Sequence, residues 1–342
     1  MGFDIHVDLD SFENCFTAVD SHTLGQFTRV VTSGFPHIEG KTMIEKKQFL
    51  EANCQQLRTA LMHEPRGHAE MFGSVLMESV HDEADYGVVY MDTGEYLNMC
   101  GHGTMGTATV CVEAGLVPMQ EPYTNVVLDA PAGIIRTKVK VENKKATEVT
   151  ITNVPSFVYK EGLHLDIDGK DIVVDIIFAG NFFALVDASQ FDFKIGAQNV
   201  SKFSKVGVKI LDTIKEVFPV KHPLLDITVV DHCEFYTPCE HEGADICNTV
   251  IFGAGQCDRS PCGTGTSSML VKMHHAGKLK VGDSIVTESV IGSHFTGTIA
   301  EETSVGDFKA IVPQITGSAY ITGISTYLID KDDPLKHGFQ LG

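Results

Sequence analysis

The sequence predicts an α/β (α+β) protein built as two pseudo-symmetric halves, each a mostly antiparallel sheet wrapped around one central helix. Three observations point there. The motif Cys-Gly-x-Gly-Thr occurs at Cys100 and again at Cys262, and each copy is followed in register by Ala-Gly, at Ala114–Gly115 and Ala276–Gly277. The offset, 262 − 100 = 162 residues, is close to half of the 342-residue chain, as an internal duplication requires. The segment after each motif is small and apolar on most sides, the mark of a buried helix. The segments around both are short, β-branched and partly alternating, the mark of strands.

The elements follow in order. "TMGTATVCVEA" places Met105, Ala108 and Val112 around a helical period, and "TSSMLVKMHHA" does the same with Met269, Leu270 and Met273. Cys100 and Cys262 then fall near the N-cap position. Gly115 and Gly277 stand where a left-handed residue ends a helix. Strands are expected at 84–92, 124–130, 146–159, 172–180 and 227–235, and "VVLDAPAGIIRTKVKV" reads as a hairpin. Pro155 in "TNVPSF" interrupts a strand and marks the linker. The expected division is residues 1–154 with 320–342, carrying Cys100, and 155–319, carrying Cys262.

Composition narrows the function classes. A hydrophobic content of 43% with 21% charged residues describes an ordinary globular protein. The formal net charge of −19 argues against nucleic acid and anionic membranes as partners. No apolar run approaches the ~18 residues that span a bilayer. The acidic start "MGFDIHVDLDSFEN" lacks an export signal, and His6 spoils a myristoylation reading of Gly2. A cytoplasmic protein is therefore expected, its nine cysteines reduced thiols and most of them inert core residues.

Gly101, Gly103 and Gly106 spell G-x-G-x-x-G, a dinucleotide-loop pattern. Its surroundings disagree. The preceding "DTGEYLNMC" is weakly strand-like, a hairpin follows, and the second copy lacks the third glycine. The segment "HCEFYTPCEH" (232–241), with Cys247 beyond, offers thiols and imidazoles for a metal. Its Cys233-x₅-Cys239 spacing is not that of common zinc sites. Neither a metal nor a nucleotide cofactor is expected. The thiols themselves are the sharper reading. A cysteine at a helix N-terminus has its pKa lowered, and the bare amides behind it bind anions. Two such helix starts facing each other across a cleft put one acid/base on each side of a bound carboxylate ligand. That arrangement can invert a carbon. Tight turns holding buried cysteines remain the plain alternative.

At "YLNMCGHGTMG" (96–106) and "DRSPCGTGTSS" (258–268) the sequence resembles the proline racemase family. The resemblance extends through "VDSHTLGQFTRVV" (19–31), "EPRGHAEMFGS" (64–74), "DAPAGIIR" (129–136), "NTVIFGAGQCDRSPCGTGT" (248–266), "ITGSAYITG" (315–323) and "DPLKHGF" (333–339). It implies a diaminopimelate-epimerase-like fold, a homodimer, no cofactor, and proline or hydroxyproline as the small-molecule substrate. It also implies Cys100 and Cys262 as the catalytic acid/bases. The amides of Gly101, His102, Gly263 and Thr264 become a carboxylate clamp, with His102 and Asp258 near the substrate amine. A cysteine at 262, where the family's dehydratases carry threonine, argues against dehydration. Phe72 and Phe252 fall where proline racemases carry ring-closing aromatics, so proline is favoured over a 4-hydroxyproline 2-epimerase activity; ordinary core aromatics remain the alternative. Gln26, Phe27 and the Ser267–Ser268 pair depart from the family pattern.

Overall fold

The structure, a computed structural model, describes residues 6–341, so Gly2 and the first residues of the N-terminal segment lie outside the described residues. The first half runs β1 (Asn14–Thr23), β2 (Gln26–Ser33), α1 (Met43–Asn53), α2 (Gln55–Met62), β3 (Phe72–Met77), β4 (Tyr86–Asp92), β5 (Tyr96–Leu97), α3 (Gly101–Glu113), β6 (Tyr123–Ala130), β7 (Gly133–Glu142) and β8 (Lys145–Thr152). The second runs β9 (Ser156–Ile167), β10 (Lys170–Phe178), β11 (Phe182–Asp187), α4 (Val200–Val217), β12 (Val230–Pro238), β13 (Ile246–Phe252), β14 (Gln256–Cys257), α5 (Gly263–His275), β15 (Ser284–Glu288), β16 (His294–Val305) and β17 (Phe308–Gly317). A last strand, β18 (Ala319–Ile329), returns to pair antiparallel with β1.

The repeat seen in sequence is a repeat of topology. Pairing order in the first half is β18-β1-β2-β3-β4-β6-β7-β8, with β2/β3 and β4/β6 parallel. In the second it is β9-β10-β11-β12-β13-β15-β16-β17, with β11/β12 and β13/β15 parallel. Parallel neighbours need a crossover. Helices supply it at matching places: α1 and α2 between β2 and β3, α4 between β11 and β12, and α3 and α5 before β6 and β15. β17 pairs with β8, which joins the halves, and with β9, which closes the second sheet on itself.

The expected strands are present, the expected hairpin is β6–β7, and the chain breaks at Asn153–Pro155 between β8 and β9. α3 and α5 are the two expected central helices, each 13 residues long. Gly115 (φ 75°) and Gly277 (φ 70°) follow them in the left-handed conformation. Every residue of α3 from Gly101 to Val112 is buried, and α5 is buried from Gly263 to Val271. Both helices share one apolar cluster, with Met105 and Ala108 in the same core as Met269 and Leu270. A second core lies under α4, where Phe203, Ile210 and Ile214 meet Cys233, Phe235 and Ile251.

The glycines of 101–106 are there for packing. A Cβ on Gly101 would lie 2.7 Å from Gly263 Cα, and one on Gly263 would lie 3.0 Å from Gly101 Cα. The two helices therefore touch backbone to backbone at their first residues. A Cβ on Gly103 would stand 2.9 Å from Phe72 and Tyr90, and one on Gly106 2.9 Å from Ser21. Among the cysteines, Cys54, Cys111, Cys233 and Cys257 are buried, and burial pushes the Cys111 thiol up to about 12 and Cys257 to about 11. The expectation of nine free thiols needs correction: Cys239 and Cys247, 4.9 Å apart at Cα, are joined as a disulfide. The β12–β13 pairing opposes Thr237 to Cys247, which brings the next turn of chain within bonding reach.

Two stability predictions follow from this packing. Gly101→Ala and Gly263→Ala each force the helix starts apart and are expected to lower the unfolding free energy by about 1–3 kcal/mol. The double variant should lose less than the sum, because one displacement relieves both clashes. Gly323→Ala, with open space around its Cα, is the control, and urea midpoints are the measurement. Glu234 is fully buried beside Gly265, with one carboxylate oxygen held by Asn248 and the other unpartnered; burial pushes its pKa from 4.5 up to about 8. Between those values the native state carries a proton that the unfolded chain has lost, so stability falls as pH rises, by up to about 1.4 kcal/mol per pH unit. Glu234→Gln should remove that slope between about pH 5 and 8; denaturation series across this range would refute the assignment if the two slopes matched.

Candidate active site

Both motif cysteines are helix N-caps. Cys100 caps α3 with extended backbone, and its Sγ accepts the Gly103 N–H at 3.2 Å. Its carbonyl accepts from Thr104, through the amide at 3.0 Å and through Oγ1 at 2.6 Å. Cys262 caps α5, and its Sγ accepts the Gly265 N–H at 3.3 Å. The first turn of a helix has no intrahelical partner for its amides. With those of Gly103 and Gly265 taken by sulfur, the donors left at the two starts belong to Gly101 and His102, and to Gly263 and Thr264. The caps differ in one respect. Cys262 has φ +60°, ψ 113°, a conformation that costs a side-chain-bearing residue on the order of 1–3 kcal/mol. Pro261 before it and the Ser260 Oγ, which accepts the Cys262 N–H at 3.2 Å, hold the turn in place.

The two sulfurs line one small cavity with Phe72, His102, Phe252, Asp258 and Thr264. It holds about 10 Å³, room for roughly one water. Seven of the nine residues expected at the site thus form its wall; Gly101 and Gly263 do not line it but form the contact that sets its two sides. His102 Nδ1 lies 3.3 Å from Cys100 Sγ and 3.5 Å from an Asp258 carboxylate oxygen. The other Asp258 oxygen accepts the N–H and the hydroxyl of Ser260, both at 2.8 Å. Asp258 does not pair with Arg259, which turns away to Glu70 at 2.9 Å. At the second cap, Thr264 Oγ1 takes the place of an imidazole, 3.4 Å from Cys262 Sγ. Phe72 packs edge-on to His102, ring centres 4.4 Å apart.

Electrostatics distinguish the two sides. Burial alone would lower the His102 pKa, but the Cys100 sulfur and the Asp258 carboxylate outweigh it and hold the ring protonated, up to about 10. The expectation of a lowered thiol pKa is corrected at Cys262. Burial, then the Asp258 charge, push that thiol well above its usual value, against the smaller pull of Thr264 and the Gly265 amide. In this closed shape desolvation outweighs the helix terminus.

The wall also contains Leu97, Met99 and His232, which sequence reasoning did not place there. Leu97 and Met99 lie three residues and one residue before Cys100, a signal available in the motif itself. His232 stacks on Phe252 and Phe183. Alternation along β12 sends His232 and Glu234 towards α5, and Cys233 and Phe235 into the core under α4. The candidate metal segment 232–241 is thereby split, and Cys233 cannot join Cys239. Of the residues departing from the family pattern, Gln26 is buried and accepts the Arg259 amide N–H at 2.9 Å. Phe27 is exposed and packs edge-on to His68, and the Ser267 hydroxyl donates to the Gly263 carbonyl inside α5.

Comparison with known proteins gives consistent results. A proline racemase from Clostridioides difficile is 52% identical over 332 residues, spanning 96% of this chain and 99% of that protein. A 4-hydroxyproline 2-epimerase from Streptosporangium roseum is 41% identical over 331 residues, spanning 95% and 98%. Among solved structures, a probable proline racemase from Agrobacterium radiobacter K84, with bound carbonate, superposes with a TM-score of 0.92 at 33% identity, covering 95% of this chain and 96% of its own. The fold is the diaminopimelate-epimerase-like one that the sequence implies. The family model described as proline racemase matches residues 18–340, and the chain belongs to that family.

Proposed function

We propose that this chain is a cofactor-independent isomerase that interconverts L- and D-proline, with Cys100 and Cys262 as the acid/base pair. The observation that carries the reading is the placement of two thiols on two helix N-caps around one cavity, with the helices touching at Gly101 and Gly263. The substrate carboxylate is received by the amides of Gly101, His102, Gly263 and Thr264, and no lysine or arginine is among the described residues of the wall. Asp258 accepts from the ring ammonium. The thiolate on one side takes the Cα proton, and the thiol on the other delivers its own proton to the opposite face. The helix termini stabilise the charge that gathers on the carboxylate. The His102 imidazolium stands 3.3 Å from the Cys100 sulfur, and burial favours the protonated form of Cys262. The opposite enantiomer uses the reverse distribution. A cavity of 10 Å³ is too small for a proline ring, so binding includes an opening between residues 1–154 with 320–342 and residues 155–319.

Phe72, Leu97, Met99 and Phe252 make the ring side of the wall apolar, which favours proline. The second reading is a 4-hydroxyproline 2-epimerase, and its support is His232, a polar group beside Phe252 that could receive a ring hydroxyl. We also propose a homodimer acting in the cytoplasm, where both thiols stay reduced. The dimer reading is supported by Tyr320 and Ile324, 52% and 79% exposed along β18.

Polarimetry with L-proline and trans-4-hydroxy-L-proline side by side tests the substrate. A buried hydroxyl without a good partner costs about 1–3 kcal/mol, so L-proline is expected to be favoured by about tenfold or more in kcat/KM; the reverse order would establish the epimerase reading. Cys100→Ser and Cys262→Ser should each reduce turnover by about 10²–10⁴-fold in both directions, while Cys111→Ala stays within a few-fold. Near-normal rates in either serine variant would end the two-cysteine assignment. For the assembly, light scattering should find a dimer, and Ile324→Glu should shift it to monomer; an unchanged dimer rules out the β18 surface at Ile324.

A further inference from the structure

The duplicated fold has a duplicated corner, and the two copies differ in chemistry. In the first half, Asp129 at the end of β6 sits beside Gly87 in the parallel register and holds the preceding turn. Its carboxylate accepts from Ser79 Oγ at 2.8 Å and from the Val80 amide at 3.1 Å, and it pairs with His81 Nδ1 at 2.9 Å. In the second half, Glu288 at the end of β15 sits beside Cys247 in the same register and pairs with His241 Nδ1 at 2.5 Å. The spacing is preserved: 79, 81 and 87 become 239, 241 and 247, each 160 residues on. The serine and the glycine of the first corner are both cysteines in the second.

We propose that Cys239, His241, Cys247 and Glu288 form a binding site for a thiophilic divalent metal ion of the zinc class. Their ligand atoms all lie within 4.8 Å of one another. A tetrahedral zinc with bonds of about 2.0–2.3 Å sets its ligands roughly 3.3–3.8 Å apart, within reach of small side-chain rotations. Two thiolates, an imidazole and a carboxylate are a donor set that selects zinc over calcium or magnesium. Glu288 is nearly buried, and His294 Nε2 holds its second oxygen at 2.9 Å, orienting the first towards His241. His241 and Cys247 also line an open surface groove with Phe193 and Glu240, which gives an ion its way in. Cys233, the sequence neighbour nearest in type, takes no part.

The site forms from the dithiol. A dithiol reductant transfers two electrons and two protons to the Cys239–Cys247 disulfide, leaving two thiols and becoming a cyclic disulfide itself. The metal ion then displaces the two thiol protons to solvent. The consequence is structural. β13 and β15 pair only through Ile246–Thr287 and Cys247–Glu288, and the ion would clip that short junction to the 239–245 turn. The first half, with Ser79 and Gly87, holds the same corner by hydrogen bonds alone.

The test uses the full chain, reduced with dithiothreitol, desalted without oxygen and equilibrated with Zn²⁺ or Co²⁺. One ion per chain is expected. Co²⁺ should give thiolate-to-metal charge-transfer absorption, and Zn²⁺ should raise the melting midpoint by a few degrees. Cys239→Ser with Cys247→Ser should abolish all three effects, and His241→Ala, at an exposed position that leaves the fold intact, should weaken binding by about tenfold or more. Cys100→Ser with Cys262→Ser should keep the ion. The proposal is overturned if the reduced chain binds no ion, if binding survives in the Cys239/Cys247 variant, or if the ion is lost with the Cys100/Cys262 pair instead. Should the Cys239/Cys247 variant fail to fold, His241→Ala decides: unchanged affinity there refutes the site.

Discussion

The contact on which the site depends is glycine against glycine. At 2.7 Å from a would-be Cβ to the opposing Cα, Gly101 and Gly263 leave room for backbone only. Two helix N-termini, which repel as like partial charges, are held together there by the shared core of α3 and α5. That repulsion is a useful arrangement. An anion between the helix starts would relieve it, so on the proposed reading the affinity for a carboxylate is stored in the backbone. With a net charge of −19 on the chain, the proposed binding by amides would also spare the site a cationic side chain that the surrounding acids would compete for.

From this contact the rest follows outward. The caps must be small enough to turn the chain into the helix, and on the proposed assignment they also carry the reacting group; cysteine meets both requirements. Gly103 and Gly106 let Phe72, Tyr90 and Ser21 press onto α3, which keeps the Cys100 side from shifting. Gly265 leaves space for Glu234 on the other helix. Each sulfur accepts an amide three residues on, at 3.2 and 3.3 Å. This is the bond a serine N-cap would make, so the thiols are positioned by ordinary helix capping.

The repeat made the centre of the molecule legible. Cys100, Cys262, the glycine stops at Gly115 and Gly277 and the two buried helices could be read because a duplicated motif states its own register. What has no copy was harder to read. α4 shows a clear helical period in Phe203, Gly207, Ile210, Leu211 and Ile214, but its counterpart in the first half is two short helices, so the repeat does not lead to it. His232 was visible as a residue and misplaced as a site member, because the face it takes depends on the register of β12 against β11 and β13. The corner at Glu288 was invisible for the same reason: a parallel pairing across 41 residues brings it to Cys247. The Cys262 pKa went the other way from expectation because a helix terminus is a local property and desolvation is a property of the closed cavity.

Symmetry in the fold is broken where a chiral substrate needs it broken. An exact twofold would put identical groups on both faces of Cα, yet the ring nitrogen lies to one side of any axis through the carboxylate. Asp258 and His102 are accordingly a single set, one residue from each half, meeting at 3.5 Å. Their placement gives Cys100 a charged neighbour and leaves Cys262 with Thr264 at 3.4 Å. The two thiols therefore stand in unequal surroundings, and on the proposed two-cysteine assignment the two directions of reaction begin from different environments. Equal flux at equilibrium is still required, since the enantiomers have equal free energy. Any difference between the two directions is then confined to KM and kcat changing together, because kcat/KM must be the same for L- and D-proline.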